Sequence, residues 1–201
     1  MATMKIPPET PPPRENAMNI HHAFRAIINI LAHRNATQHS QIVQEYETMY
    51  SNDFKKCLSS ELSSHFKKAV ILWMQDPAER DANIVRHALK GTVPDHKAAT
   101  EVICSRNSSQ IRQLKQNYFS SFGTSLEDDI DSQTSGDLRK LLLTFLNTSR
   151  HECPEFDEAL VENDAQTLHK AAKKFGSDEK TFIKILSERS RAHLAALSAA
   201  H

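Results

Sequence analysis

Eleven histidines and three cysteines are the side chains of this 201-residue chain that could ligate a metal or carry redox chemistry. Their spacing does not assemble them. There is no HxxxH or HExxH, and His21 and His22, being adjacent, point to different faces of any helix. The histidines are therefore read as scattered over the surface. Cys57, Cys104 and Cys153 are odd in number, far apart and in no CxxC, which points to a reducing compartment, the cytosol, rather than a disulfide framework. Cys104, on the apolar helix face of ICSRN, reads as an inert thiol. No GxxxxGK[ST] loop is present to cradle nucleotide phosphates. Lys plus Arg and Asp plus Glu are both 25, so no global field draws the chain to nucleic acid, and an anionic partner must be recruited locally.

Oxygen donors are the remaining chemistry. Phe175-Gly176-Ser177-Asp178-Glu179 reads in one way as helix punctuation, with Gly176 ending one helix, Ser177 capping the next, and Asp178 and Glu179 at its positive end. Glu61, in SSELSSHF, reads in the same spirit as an ordinary helix carboxylate. Either stretch becomes a site only if a turn of the chain brings further oxygens to it.

The elements that would do so are helices. Only four glycines occur, and apolar residues recur at intervals of three and four, as in Ile42, Tyr46 and Met49, then Leu58, Leu62, Phe66 and Val70. Trp73 and Met74 end such a stripe and read as core. The fold class is all-α. Pro7, Pro8, Pro11, Pro12 and Pro13 mark residues 1–15 as an extended tail, and neither an apolar signal segment nor a spanning run is found.

The chain also repeats itself. Arg34 and Arg106, Gln38 and Gln110, and Tyr46 and Tyr118 all stand 72 residues apart, and a third copy places Arg189 at the same point. The recurrent arginines read as internal ion pairs that fix each repeat. Each copy opens on a helix, at NAMNIHHA, DANIVRHA and DAQTLHKA, and 25 residues separate Asp81 from Arg106 and Asp164 from Arg189, against 18 between Asn16 and Arg34. The first copy thus lacks seven residues, placed between Phe24 and Arg25, opposite Lys90 to His96. Losing that turn should fuse its two helices or leave the first undocked. The expected boundaries are 16–75, 76–150 and a partial third copy over 158–201.

The DA-led helix, the Gly-containing loop, the helix ending in Arg and the later SELSSHF or SQTSGDL segment together resemble the annexin family, and LWMQDPAERDA, AHRNA and SLEDDIDSQTSGD resemble its plant-type members. The resemblance implies repeats of five helices, the third incomplete here, and calcium-dependent binding to anionic phospholipid. It further implies a calcium site per repeat, made of a K-G-x-G-T turn between the first two helices and a later carboxylate that caps it. Glu61 matches the cap of repeat one, whose turn is missing. In repeat two, Val93 and Pro94 stand at the Gly and Thr positions and Gln133 at the carboxylate. In repeat three, Phe175, Gly176, Ser177, Asp178 and Glu179 match the turn, with Lys174 at the first glycine. Asp178, Glu179 or Asp95 could hold a weaker ion with water filling the shell.

The expectation is therefore a cytoplasmic protein, associated peripherally with anionic phospholipid when calcium rises, weakened because no site is complete, and not an enzyme. A competing reading is a helical interaction module that self-associates or pairs with other annexin-like chains. A peroxidase-like reading rests on His33 alone, which the resemblance matches to a histidine implicated in such activity in some plant annexins.

Overall fold

The computed structural model describes residues 11–22, 29–62, 64–173 and 178–199, and all regular structure among them is helical. The helices described from end to end are α1 (Pro13–His22), α2 (Ala36–Tyr50), α3 (Phe54–Glu61), α4 (Ser64–Met74), α5 (Pro77–Lys90), α6 (His96–Ser105), α7 (Ser108–Phe122), α8 (Leu126–Gln133), α9 (Gly136–Asn147), α10 (Glu158–Lys173), α11 (Glu179–Glu188) and α12 (Arg191–Ala199), and residues 29–31 are helical as well. They divide into two compact units, Met1–Arg80 and Asp81–His201.

The 72-residue repeat is written in the caps as well as the core. Asn35 opens α2 and Asn107 opens α7, each accepting from the backbone N–H of Gln38 or Gln110 while that glutamine's side chain accepts from the cap's own N–H. The same helices close on Ser51 and Gly123, both left-handed, at φ 51° and 67°. Glycine adopts that conformation freely and serine at a cost, so repeat two holds the better version of this stop. Asp53 and Ser125 then start α3 and α8 in the same register.

In the Met1–Arg80 unit the core gathers Ala17, Leu31, Ile42, Tyr46, Phe54, Leu58, Leu62 and Met74. Two expectations are corrected here. Helix α1 begins at Pro13, inside the stretch expected to be extended, because proline suits the first helical position, where no N–H partner is needed. The stripe from Leu58 to Val70 is not one helix face: the chain breaks after Glu61 and restarts at Ser64, leaving Phe66 exposed.

The helix junction of repeat one lies at residues 23–28, outside the described residues. Its flanks show whether the first helix is docked. Helix α1 packs on α2, Ala17 is fully buried, and Asn16 Oδ1 accepts from Arg34 Nη2 at 3.0 Å. The first helix is therefore docked, and the expectation of an undocked first helix fails.

The surface reading of the histidines is corrected at two positions, His39 and His193, which are buried. His39 Nε2 donates to Leu31 O at 2.8 Å, the carbonyl that also takes the Trp73 indole N–H at 2.8 Å, while its Nδ1 is buried without a partner. Trp73 is itself only partly core, for the residue is 39% exposed and its ring carries Arg80 at 5.8 Å. Burial, reinforced by the charges of Arg34 and Arg80, holds the His39 imidazole below its ordinary 6.5, against the opposing pull of its backbone hydrogen bond. Below pH 6.5 the unfolded chain then binds a proton that the folded one refuses. Stability of this unit should accordingly fall as pH drops below 6.5, by up to about 1.4 kcal/mol per pH unit, and level off below the folded pKa. Trp73, the only tryptophan, reports this in urea titrations at a series of pH values. His39→Gln, which keeps a donor for Leu31 O, should remove the slope, and an unchanged slope would assign it to another group.

In the Asp81–His201 unit, the larger core cluster joins Val85, Leu89, Ile103, Leu114, Tyr118, Leu126, Ile130 and Leu142, and a smaller one joins Val161, Ala165, Ile185 and Leu197. Helix α9 packs on both α6 and α11, and α10 packs on α11 and α12.

Candidate calcium turns and their supporting ion pairs

Each repeat ties its first helix to the arginine that ends its second. Arg106 grips Asp81 as a fork, Nε to Oδ2 at 2.5 Å and Nη2 to Oδ1 at 2.8 Å. Arg189 grips Asp164 in the same way at 2.6 and 3.2 Å, and His193 Nε2 lies 3.0 Å from the same carboxylate. Burial alone would raise the Asp164 pKa, but the bonds and charges of Arg189 and His193 more than offset it and hold the group below its usual range. The expected internal pairs are thus present in repeats two and three. In repeat one the partner is neutral: Asn16 meets Arg34, a buried arginine whose Nε has no acceptor.

These pairs fix the helices on either side of the turns. In repeat two, Gly91 N–H donates to His87 O and Asp95 N–H to Ala88 O, both at 2.8 Å, and Asp95 Oδ1 accepts from Ala98 N at 3.0 Å to cap α6. A Cβ on Gly91 would lie 2.4 Å from His87 O, so only glycine allows the chain to leave α5 this tightly. Val93 stands at the tip, 81% exposed. In repeat three, Asp178 N–H donates to Ala171 O at 3.4 Å and Asp178 Oδ1 accepts from Thr181 N at 3.3 Å, the same frame 83 residues on. The cap of α11 is therefore Asp178, one residue beyond the expected Ser177, and Glu179 is the first helical residue. Lys174 to Ser177, and with them Phe175 and Gly176, lie outside the described residues.

A Ca²⁺ ion needs six to eight oxygens, with a carboxylate able to bind through both of its own. The described residues of repeat two do not fit that demand. Asp95 already caps α6, and Gln133, at the end of α8, is an amide with a single acceptor oxygen. Glu61 ends α3 exposed to solvent, and the turn it would serve falls at residues 23–28, outside the described residues. No group of three or more His, Cys, Asp or Glu is placed to hold a metal among the described residues. Glu61 belongs to the Met1–Arg80 unit, Asp178 and Glu179 to the Asp81–His201 unit.

One cluster went unread in the sequence. Asp129, nearly buried, accepts from Tyr118 Oη at 2.7 Å and pairs with Arg86 and, at 3.1 Å, with Lys90, the residue that leads into the repeat-two turn. Burial raises its pKa, but the tyrosine bond and the two cations outweigh this and keep Asp129 ionised below the usual range. In repeat one Cys57 stands at the matching place, its Sγ 3.4 Å from Tyr46 Oη. The 72-residue register pairs Cys57 with Asp129, and that comparison could have disclosed the site. Cys104 conforms to its reading: burial pushes its thiol up to about 11, where little thiolate forms at neutral pH.

Three successive helical copies, each with its leading helix held by the arginine that ends the second, and two of them carrying an Asp-capped turn in the same frame, define a helical-repeat protein of the annexin kind. The Annexin family model matches residues 23–73, 80–145 and 163–200, and the chain belongs to that family. It is 54% identical to annexin D5 of Arabidopsis thaliana over 98% of this chain and 65% of that protein, and 38% identical to annexin D2 of the same plant over 98% and 64%, which makes it a plant-type annexin. Among solved structures it matches annexin III with a TM-score of 0.81 at 34% identity, covering 96% of this chain and 62% of that one. It also matches chicken annexin V in complex with Zn²⁺, with a TM-score of 0.79 at 34% identity, covering 98% and 64%. The chain thus spans somewhat less than two thirds of the length of these relatives.

Proposed function

We propose that this chain binds anionic phospholipid surfaces in a calcium-dependent manner, weakly, as a peripheral cytoplasmic protein. The observation that supports the reading most is the Asp-capped turn that recurs in the same frame at Asp95 and Asp178, on helices held by the same arginine fork. Membership of the annexin family supplies the class of ligand. No helix of the described residues is long and apolar enough to cross a membrane, so attachment by a spanning helix finds no support there. In this reading the repeats run over 16–75, 76–150 and 158–201, and the candidate oxygen donors are Glu61 and the Phe175, Gly176, Ser177, Asp178 and Glu179 turn. The low affinity follows from their division: the cap of repeat one and the turn of repeat three belong to different sites.

Co-sedimentation with phosphatidylserine vesicles across a calcium series tests this. Pelleting is expected only at about 1 mM calcium and above, the weak end of protein calcium sites, and should diminish in Glu61→Gln. A chain that keeps its helical circular dichroism yet never pellets would refute the reading.

A further inference from the structure

We propose that the Asp81–His201 unit carries a calcium-independent binding cleft for a small oxyanion of the phosphate or phosphomonoester class, held by Arg150 and Arg191. The cleft has a volume of about 590 Å³ and is lined by Ser105, Asn107, Gln110, Arg150, His151 and Arg191, among others. It lies away from the turns at Asp95 and Asp178, on the side where α6 ends and α7 and α12 begin.

Charge is the first argument. Arg86, Arg106, Arg139 and Arg189 of this unit are each ion-paired with a carboxylate. Arg150 and Arg191 have no carboxylate partner among the described residues. Their hydrogen bonds go to neutral carbonyls: Arg150 Nη1 to Cys104 O at 3.3 Å, Arg150 Nη2 to Leu186 O at 2.7 Å, and Arg191 Nη2 to Ser105 O. Such bonds aim the guanidinium groups but do not neutralise them. Arg150 Nε is buried with no acceptor at all, and burial, against the opposing pull of Cys104 and with the charge of Arg191, takes this guanidinium below the ordinary arginine range. One carboxylate stands on the cleft wall, Glu152, its Oε1 accepting from Ser108 N at 3.0 Å at the start of α7, so two guanidinium charges face one carboxylate there.

Geometry is the second argument. Both guanidinium groups line one cleft, Arg150 stacked on the Phe145 ring at 5.0 Å, and guanidinium is the side-chain group that grips phosphate or carboxylate oxygens in pairs. Asn107 and Gln110 have turned their amide oxygens to each other's backbone N–H, which leaves their NH₂ groups as donors, and His151 adds another on the wall. The volume exceeds that of bare phosphate, so a small organic remainder fits beside it. The alternative role for these arginines is a staple of loop carbonyls, and a staple binds nothing.

The test is calorimetric titration of the full chain with inorganic phosphate in EDTA, so that calcium plays no part, with chloride at matched ionic strength as the blank. A saturable isotherm is expected, weakened about tenfold or more in Arg191→Gln, a substitution at an exposed position that spares the fold. Asp178→Asn should leave it unchanged, which separates this cleft from the calcium reading. Phosphate that acts no differently from chloride, or an isotherm unaltered in Arg191→Gln, would overturn the proposal. If phosphatidylserine vesicles in EDTA displace the phosphate, the oxyanion is a lipid headgroup. If glycerol phosphate does so and vesicles do not, it is a soluble phosphomonoester.

Discussion

Replacing Asp81 with alanine should cost the Asp81–His201 unit about 3 kcal/mol, the lower end of the range for breaking a buried pair, because 26% of the Arg106 side chain reaches solvent. The loss has two parts. Both fork bonds disappear, and Arg106 keeps its charge on a half-buried surface with no counter-ion. Urea denaturation followed by far-ultraviolet circular dichroism reads it directly. Asn16→Asp is the opposite experiment on the other unit: it gives Arg34 the carboxylate its counterparts already have and should add about 1–2 kcal/mol, read as a higher urea midpoint of Trp73 fluorescence. An Asp81→Ala midpoint equal to the parent would mean that the fork is not what holds the leading helix of the repeat.

The arginines show how much the sequence could disclose. Their spacing predicts an internal ion pair in each copy, which repeats two and three hold and repeat one replaces by a neutral partner. Two of the three partners were visible in the DA of each leading helix. The repeat-one partner was not, since Asn16 departs from that pattern and its hydrogen bond crosses the point where seven residues are absent. The docking of the first helix differs from expectation for a related reason. Loop length is a local quantity, but docking of α1 is decided by Ala17 and Asn16 meeting groups far along the chain. The burial of His39 also escaped the sequence, because it occupies the place that Ile111 fills in repeat two and declares itself only through Leu31 and Trp73. The candidate calcium ligands were legible as residue types in register. Whether a turn reaches Glu61 is a question of backbone path, on which residue types are silent.

The largest expected gain of function comes from repeat two, where turn and cap position are both among the described residues. Val93→Gly/Pro94→Thr/Gln133→Glu should lower the calcium concentration for half-maximal pelleting with phosphatidylserine vesicles by about tenfold or more, because it supplies what a hard cation requires. Glutamate at position 133 offers two charged oxygens in place of one amide oxygen. Glycine and threonine free a turn whose proline now fixes φ and removes an N–H. The frame that must hold them is already built, by Gly91 on His87 O, by Asp95 on Ala88 O and by Lys90 on Asp129. Gln133→Glu alone should achieve little, for a carboxylate without carbonyls turned toward it completes only part of a shell. If the triple variant folds with the parent's helix content and still pellets no better, the defect of repeat two does not lie in its turn and cap. The weak lipid binding proposed for this chain would then need another cause.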